Sequence, residues 1–482
     1  MKLTPLTVLS PAEIEQIHQA TLAILSECGV RVLHPGLLEK LRQLGLPVDT
    51  AAQIVHFPPA RIAEALCTIP RQIELFDREG RSAFVLGGGS GRVAAGHNAV
   101  FWVDSQTGQT RNSTVADVAQ FARLCEHLEQ IDMIGIPVMP QDIPRAEDSL
   151  LYAVEAVVRN SRKPVYFSTN DPRITRGCLD LLRAAGAGRW PEQAYAIGQF
   201  SPTSPLFWEA EVAEALMHTV EAQVPVAILP EPNAGISAPY TLAGLVTMNN
   251  AECLSGLLLA QLLRPGTKVM YASSWTTTDM KSGAALVGSA ETSVCRIAGV
   301  QMARYYQVPV HTTAPNSDNH AHDEQNAWEK TMSQFCGLAA GADLVVNCGM
   351  FATGMTCSHE QLLLDAEISR LARRVTAGLN VSAETIAADL IRELGPQNPE
   401  YLTTAHTMKW LRSDEYAWPA LTVRGPRATW EAAGAKDSYQ LARDQVADLA
   451  QKNGAPLDPR RAAQLAEIMK ICDAGIPARR IP

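Results

Sequence analysis

Pro225-Val226-Ala227-Ile228-Leu229-Pro230 is an apolar run about as long as one β-strand, and proline bounds it at both ends. Two stretches of helical length flank it, Trp208 to Ala222 before it and the apolar-rich Thr241 to Leu263 after it. A strand without polar alternation is typical of a parallel sheet, because helices cover both faces of such a sheet. This part of the chain therefore predicts an α/β fold.

The same pattern recurs at intervals of roughly 30 to 40 residues, which indicates βα units. The further predicted strands are Ile134 to Met139, Pro164 to Ser168, Tyr195 to Phe200, Lys268 to Ala272, Val308 to Thr313 and Asp343 to Cys348. We expect a (β/α)8 TIM barrel, with the missing eighth strand at Ala99 to Val103 or near Phe351. A doubly wound open sheet is the competing architecture, and periodicity alone does not exclude it.

The segments on either side of the predicted barrel have different patterns. Residues 1–110 begin with a helix that Ser10 caps and Gly29 ends, and glycine-rich turns between short apolar runs follow. Residues 381–482 contain capped helical stretches such as Ser382 to Leu394. We therefore divide the chain into an N-terminal helical cap with a small β-region (1–110), a TIM-barrel catalytic domain (111–380) and a C-terminal helical extension (381–482).

Composition excludes several classes of protein. The net charge of -9 leaves no basic excess for a nucleic-acid partner. Thr241 to Leu263 carries Asn249, Asn250 and Glu252 near its centre, which would be expensive in a bilayer, so it predicts a buried helix rather than a membrane span. The ten cysteines include no Cys-x-x-Cys pair, and the first residues lack the pattern of a secretory signal. We expect a cytoplasmic enzyme with reduced thiols.

Candidate binding residues come from the C-terminal ends of the predicted strands and the loops beyond them, where barrel enzymes place their chemistry. These candidates are His97, Asn98, Glu231, Trp275, His311, His320, His322, Asn347 and Phe351. No motif marks any of them as a catalytic residue, so we treat the whole set as substrate-binding.

Several of these patterns have two interpretations. His320-x-His322 is similar to the metal-binding pair of barrel hydrolases, but such a site needs further His and Asp at other strand ends, and only His311 is well placed, so a polar loop with one substrate-contacting histidine is the favoured interpretation. The glycines from Gly87 to Gly91 could cradle phosphate, yet no Lys-Ser/Thr follows and a turn between strands is the simpler interpretation. Trp275 and Phe351 could form a cage for a cation, or they could be ordinary packing residues.

The chain also resembles a known family over nearly its whole length. The resemblance lies in LSPAEI at residues 9–14, VDSQTGQTR at 103–111, AGISAPYTLAG at 234–244 and, most specifically, LLLDAEI at 362–368. These stretches occur in the order typical of the trimethylamine methyltransferase superfamily, the corrinoid-dependent MttB-like proteins. The chain is therefore identified as a member at family level.

The resemblance implies a (β/α)8 barrel whose mouth docks a corrinoid-binding protein, so that the cobalamin-type corrinoid is carried by that partner. Founding members use pyrrolysine, whereas this chain is written in the twenty standard residues. It thus looks like the pyrrolysine-free branch, which is associated with quaternary amines such as glycine betaine, proline betaine and carnitine. The resemblance implies methyl transfer from a quaternary amine to cobalt(I), with no tightly bound metal. The stretch Asn319-His320-Ala321-His322 departs from the lysine expected there.

We assign hypothetical roles on the predicted strand ends. Glu231, with Trp275 and Phe351, would surround the ammonium group. Donors to a substrate carboxylate would be His97, Asn98, His320 and His322, and the floor would contain His311 and Asn347. The rival functions are a metal-dependent barrel hydrolase and a quaternary-amine-binding protein without methyl transfer. The size of the barrel and its helical extension is compatible with a homo-oligomer.

Overall fold

The computed structural model describes residues 3–104, 107–397 and 400–473. Eight parallel strands within these ranges close into a barrel, each pairing with the next and the last with the first. In chain order the strands are β1 (Arg92–Ala95), β2 (Met133–Gly135), β3 (Val165–Ser168), β4 (Ala196–Phe200), β5 (Val226–Ile228), β6 (Val269–Ser273), β7 (Val310–Thr313) and β8 (Leu344–Cys348). The closed barrel confirms the predicted (β/α)8 fold and rules out the open sheet.

One long helix follows each strand and packs on the outside of the barrel. The helices are α1 (Val115–His127), α2 (Ser149–Asn160), α3 (Pro172–Ala185), α4 (Ala210–Glu221), α5 (Leu242–Leu263), α6 (Ala290–Tyr305), α7 (Glu324–Ala340) and α8 (His359–Ala377). Among the described residues α5 is the single helix long and apolar enough to cross a membrane, but 72% of its most apolar window is buried inside the fold. The prediction of a buried helix at this position is confirmed.

The position predicted for the eighth strand is wrong. The missing strand is β1 at Arg92–Ala95, upstream of both expected positions and upstream of residue 111. The segments expected there, Phe101–Val103 and Met350–Phe351, instead join Thr110–Asn112 and Thr356–Cys357 in a small separate sheet. β1 has four residues, opens with arginine and ends in two alanines, so it lacks the β-branched run that marked the other strands. The three-part division of the chain stays a prediction.

A β-hairpin, Ile73–Phe76 with Ser82–Leu86, closes the N-terminal end of the barrel. Its apolar side chains form one buried cluster with inward residues of the strands, such as Met133, Ile197 and Met270. The glycine-rich segment after it is a turn, because the amides of Gly87, Gly89 and Ser90 all donate to Oδ1 of Asp343. The segment therefore binds a carboxylate of its own chain, which supports the turn interpretation.

The N-terminal cap packs against the outside of the barrel. Ser10 and Glu13 form the predicted capping box of the helix Pro11–Ala23. A π-helical turn, Ile24–Cys28, extends that helix to Gly29, whose φ is +75° and whose added Cβ would lie 2.6 Å from the carbonyl oxygen of Val55. The rest of the cap contains the helices Pro35–Gln43 and Pro59–Cys67 and a sheet of Val30–Val32, Val48–Asp49, Ile54–Val55 and Phe207–Trp208.

The C-terminal extension is helical, as predicted, but one of its helices is interrupted. The expected helix from Ser382 to Leu394 breaks at Ala387, which has a left-handed φ of 51°, into Ala383–Ile386 and Ala388–Leu394. Further helices are Ala405–Trp410, Arg427–Ala432, Ser438–Ala450 and Pro459–Asp473. The last two pack on the barrel helices, Ser438–Ala450 on α8 and Pro459–Asp473 on α3.

Candidate active site at the mouth of the barrel

Three buried polar side chains meet on the barrel axis. The Tyr166 hydroxyl donates to Oε1 of Gln199 at 2.8 Å and lies 3.3 Å from Nε2 of His311. Gln199 in turn donates to the hydroxyls of Ser168 and Ser201 at 3.2 and 3.3 Å. Because the tyrosine proton points to Gln199, Nε2 of His311 carries the proton shared with the hydroxyl, and Nδ1 is left as an acceptor.

The histidine at this centre is held neutral. Burial lowers the pKa of His311 to about 3, and the neighbouring His97 contributes to the same shift. Nδ1 of His311 is buried and has no hydrogen-bond partner among the described residues. Burial also raises the pKa of the Tyr166 hydroxyl, and the charge of Glu231 adds to that shift. At neutral pH the centre of the site is therefore uncharged, with one open acceptor.

A second hydrogen-bond chain lies beside the first. Nδ1 of His97 is 3.0 Å from Oδ1 of Asn347, whose amide donates to Oδ1 of Asn316 at 2.8 Å. The ring of His97 also meets Tyr166 edge-on, with centroids 5.7 Å apart. Asn347 has a φ of 124° and Asn98 a φ of 58°, and asparagine tolerates positive φ better than most residues. The structure thus brings together the predicted residues His97, His311 and Asn347, with Asn98 next to them.

We call the group of Tyr166, Gln199, His311, His97 and Asn347 the floor of the site. Glu231 is exposed at the edge of this floor. It accepts from the Ser274 hydroxyl at 3.5 Å, and Ser274 lies 3.4 Å from the hydroxyl of Thr313. Beside Asn98 and Ser168 opens a cavity of about 670 Å³, which is also lined by the carboxylate residues Glu147, Asp171, Glu209 and Glu211. The approach to the neutral floor is therefore bordered by negative charge.

Trp275 lies away from this floor. Its side chain is 2% exposed and packs against α6, where a Cβ added at Gly299 would lie 2.4 Å from the indole ring. Its indole nitrogen points to the carbonyl oxygen of Thr292 on the same helix at 3.5 Å. Ser273 faces the same glycine as Trp275, whereas Ser274, which lies between these two residues in the sequence, faces Glu231. The alternation along the strand end therefore turns Trp275 toward the helix layer.

The other predicted residues lie on the rim. His320 is exposed, whereas His322 lies between the rings of the buried Phe351 and of Tyr439, tilted against both at centroid distances of 4.6 and 4.7 Å. Burial lowers the pKa of His322 to about 4, and its Nε2 lies 3.2 Å from the Ser358 hydroxyl. Across the described ranges no three His, Cys, Asp or Glu side chains converge as metal ligands would.

A buried ion pair fixes the loops after β7 and β8. Lys330 and Asp365 have fully buried side chains 2.8 Å apart. The ammonium also donates to the carbonyl oxygens of Pro315 and Met350, and the carboxylate accepts from the amide of Gly349 at 2.7 Å. The backbone around the mouth is therefore held by charges that water does not reach.

Tyr166 and Gln199 are the residues at the centre of the site that were absent from the predicted set. Both lie inside strands, at the second residue of β3 and the fourth of β4. A tyrosine and a glutamine in otherwise apolar barrel strands are the available signal, because a polar side chain buried there needs a partner.

Comparison with known proteins gives a consistent answer. The family model for trimethylamine methyltransferase (MTTB) matches residues 1–476. The chain is 30% identical to trimethylamine methyltransferase MttB of Desulfitobacterium hafniense, covering 96% of this chain and 93% of that protein. It is 31% identical to MttB of Methanosarcina barkeri over 98% and 96% of the two chains. A glycine betaine methyltransferase of D. hafniense is 28% identical over 88% of each chain.

The crystal structure of the monomethylamine methyltransferase MtmB of M. barkeri superposes with a TM-score of 0.52 at 11% identity, covering 92% of this chain and 89% of that one. At that identity the likeness concerns the fold, and it agrees with the closed barrel. The family match at residues 1–476 includes every strand and helix of the barrel, and the two MttB relatives cover 96% and 98% of the chain. This protein is a methyltransferase and belongs to the trimethylamine methyltransferase family.

Proposed function

We propose that this enzyme transfers a methyl group from a quaternary amine to cobalt(I) of a corrinoid carried by a partner protein, in the cytoplasm. In this reaction the C–N bond breaks and its electron pair stays on nitrogen, which leaves as a neutral tertiary amine. The cobalt(I) supplies the electron pair of the new Co–C bond. The enzyme's contribution is to bind and orient the methyl donor.

The neutral floor is the observation that carries this proposal. An amine can leave as a neutral molecule after methyl transfer only if its nitrogen was already quaternary or protonated. His311 has a pKa of about 3 and is neutral at physiological pH, so it does not protonate a leaving group. The Tyr166 hydroxyl is buried and its pKa is raised, so it also keeps its proton. A donor that needs no acid, a quaternary amine, suits such a site best.

The charges around the floor support a cationic substrate. Glu231 at its edge would balance the ammonium group, and the carboxylates of the adjoining cavity would favour the approach of a cation. The side chain of His97, held by Asn347 in the floor, would offer a hydrogen bond to a substrate carboxylate, as in a betaine. The contacts of the ammonium group with Trp275 and Phe351, and of a carboxylate with Asn98, His320 and His322, stay predictions.

The rim of the mouth supports a protein partner. Exposed apolar side chains occur on three of its loops, with Ile236 66%, Tyr240 61%, Met280 64% and Met355 46% exposed. Tyr240 and Met280 flank the same position, since a Cβ added at Gly235 would lie 3.0 Å from the tyrosine ring and 3.7 Å from the methionine sulfur. Apolar side chains around an active-site opening are typical of a docking surface. A corrinoid presented by a docked protein would meet the floor from this side.

The test is the optical spectrum of cob(I)alamin mixed with the enzyme and one amine at a time: glycine betaine, proline betaine, carnitine, choline or trimethylamine. We expect the cobalt(I) band to disappear and the methylcobalamin spectrum to appear with one quaternary amine. Reaction with trimethylamine alone would overturn the choice of substrate class. The control is the same mixture without enzyme.

The rival functions give different outcomes. Calorimetric binding of a betaine without any spectral change, while the cobalt is shown to be reduced, would favour a binding protein. Stoichiometric metal in the purified protein together with hydrolytic activity that chelation removes would favour the hydrolase. Either result would refute methyl transfer.

The docking surface has its own test. Met280→Glu places a charge on the rim, so the ratio of the rate with a corrinoid protein to the rate with free cobalamin should fall by roughly tenfold or more. Val294→Glu, at an exposed apolar residue on the outer helix α6, is the matched control. An unchanged ratio for Met280→Glu would remove this rim from the interface.

A further inference from the structure

A cleft lies between the N-terminal cap and the outside of the barrel. It is a cavity of about 500 Å³ that the cap helices Pro11–Ala23 and Pro59–Cys67 form with the last residues of α6. We call it the cap cleft, and its lining includes His18, Leu22, Ile62, Leu66, Arg71 and Tyr306. Since α6 ends shortly before β7 begins, the cleft lies toward the N-terminal end of the barrel, opposite the mouth. Its volume is in the range of small-molecule pockets, roughly 300 to 1,000 Å³.

Much of the lining of the cap cleft is apolar. Ile62 is 1% exposed, and Leu22 and Leu66 are half-buried. The rings of His18, Tyr305 and Tyr306 pack against one another and continue this lining, with centroids 5.1 to 5.6 Å apart. Apolar and aromatic side chains with a few polar groups among them are typical of a ligand pocket, so the cleft suits a ligand with an apolar body.

The polar groups of the cleft are fixed from inside the protein. The buried Asn250 of α5 donates to the hydroxyls of Thr21 and Tyr306 at 2.9 Å each and accepts from the Tyr271 hydroxyl at 3.1 Å. The Tyr306 hydroxyl is therefore free to donate its own proton to Nδ1 of His18, 3.1 Å away. Burial lowers the pKa of His18, so the ring is neutral at physiological pH and carries its proton on Nε2. His18 thus adds one N–H donor to the lining.

Arg71 supplies the charge of the cap cleft. It is exposed, and within the described part of the chain its guanidinium has neither a hydrogen bond nor an ion pair. The lining, as far as the structure describes it, contains no Asp or Glu. The neighbouring Glu15 lies outside the lining, and its carboxylate accepts from Gln19 and from the Tyr305 hydroxyl at 2.8 Å. The cleft therefore combines an apolar lining with one unpaired positive charge and one N–H donor.

We infer that the cap cleft is a binding site for a small carboxylate with an apolar body. The carboxylate accepts from the guanidinium of Arg71, whose planar donors match its two oxygens, and from Nε2 of His18. The hydrocarbon part packs against Ile62 and Leu66. Aromatic rings alone would also suit a cation, but the charge of Arg71 in the same lining repels one. The inference does not depend on the chemistry proposed for the mouth.

The test is isothermal titration calorimetry of the full-length protein with octanoate, 1-octanol and octylamine, which share a hydrocarbon chain and differ in charge. We expect one octanoate per chain, bound roughly tenfold more tightly than 1-octanol, and octylamine bound more weakly still. Arg71→Gln should weaken octanoate binding roughly tenfold and leave 1-octanol binding unchanged. Arg460→Gln, at an exposed arginine of the C-terminal extension, is the control and should change neither. Equal affinities for octanoate and 1-octanol, or a preference for octylamine, would overturn the inference.

A second pair of variants locates the site. Ala63 is an exposed residue that lines the cap cleft, whereas Ala60, exposed on the same helix, is not among the described lining residues. Ala63→Trp should fill the cleft and abolish octanoate binding, and Ala60→Trp should retain it.

Hydrogen exchange of the wild-type chain provides a measurement that no folding defect can disturb. Octanoate should slow exchange in Pro59–Cys67 and at the end of α6, and leave the loops of the mouth unchanged. The absence of octanoate binding would overturn the inference. So would binding that survives Ala63→Trp, or protection confined to the mouth.

Discussion

Replacing Asp365 by Asn should destabilise the protein more than any comparable change at its surface. The substitution keeps the shape of the side chain but leaves the Lys330 ammonium, which is fully buried, without a negative partner. Removing one member of a buried pair costs about 3 to 5 kcal/mol. Because the ammonium keeps the carbonyl oxygens of Pro315 and Met350 as acceptors, we expect the lower end, about 3 kcal/mol.

The assay is urea unfolding at neutral pH, compared with Glu384→Gln. Glu384 pairs with Lys409 in the C-terminal extension, and these side chains are 53% and 61% exposed, so that change should cost less than about 1 kcal/mol. A Lys330→Met/Asp365→Asn double variant measures the coupling between the buried charges and should recover part of the loss. Equal midpoints for Asp365→Asn and Glu384→Gln would refute the reasoning that this pair fixes the mouth.

Three further changes test other parts of the structure. Burial raises the pKa of Glu252 from 4.5 to about 7, so the folded state binds that proton more firmly than the unfolded chain does. The free energy of unfolding therefore falls as the pH rises from 4.5 to about 7. Glu252→Gln should remove this pH dependence, which amounts to about 2 to 4 kcal/mol, in urea titrations at several pH values. Gly299→Ala should lower the free energy of unfolding by about 1 to 3 kcal/mol, because the new methyl group would meet Trp275 at 2.4 Å; an unchanged urea midpoint would contradict this. Glu231→Gln should raise the KM for a quaternary amine roughly tenfold with little change in kcat, whereas Glu384→Gln should leave both constants unchanged; an unaltered KM for Glu231→Gln would remove Glu231 as the counter-charge.

Seven of the eight barrel strands could be predicted because they are buried on both faces and read as continuous apolar runs. β1 could not be predicted in this way, because Arg92–Ala95 is short and is stabilised by its pairing with β8 on one side and β2 on the other. The break at Ala387 was equally hidden, because alanine favours helix and nothing local marks its left-handed conformation.

The candidate site shows a different limit. The rule that selects polar residues at predicted strand ends finds His311 and Asn347, whereas His97 follows β1, a strand that the sequence pattern does not reveal. The same rule includes Trp275, which lies against α6. Alternate residues of a strand point into the barrel and out of it, so a shift of the strand by one residue exchanges the two sets of side chains. The sequence does not contain that register, so Tyr166 and Gln199 were missed.

The hairpin Ile73–Phe76 and Ser82–Leu86 closes the N-terminal end of the barrel, so that, among the described residues, the site is approached from the mouth. In the proposed reaction the amine and the corrinoid protein would both have to use it. The small donor must then enter before the large acceptor seats, and the demethylated amine must wait for the acceptor to depart. Steady-state kinetics should accordingly follow a compulsory order, in which the amine binds first and the demethylated amine dissociates last. An excess of corrinoid protein should inhibit, because it would bind at the mouth before the amine has entered.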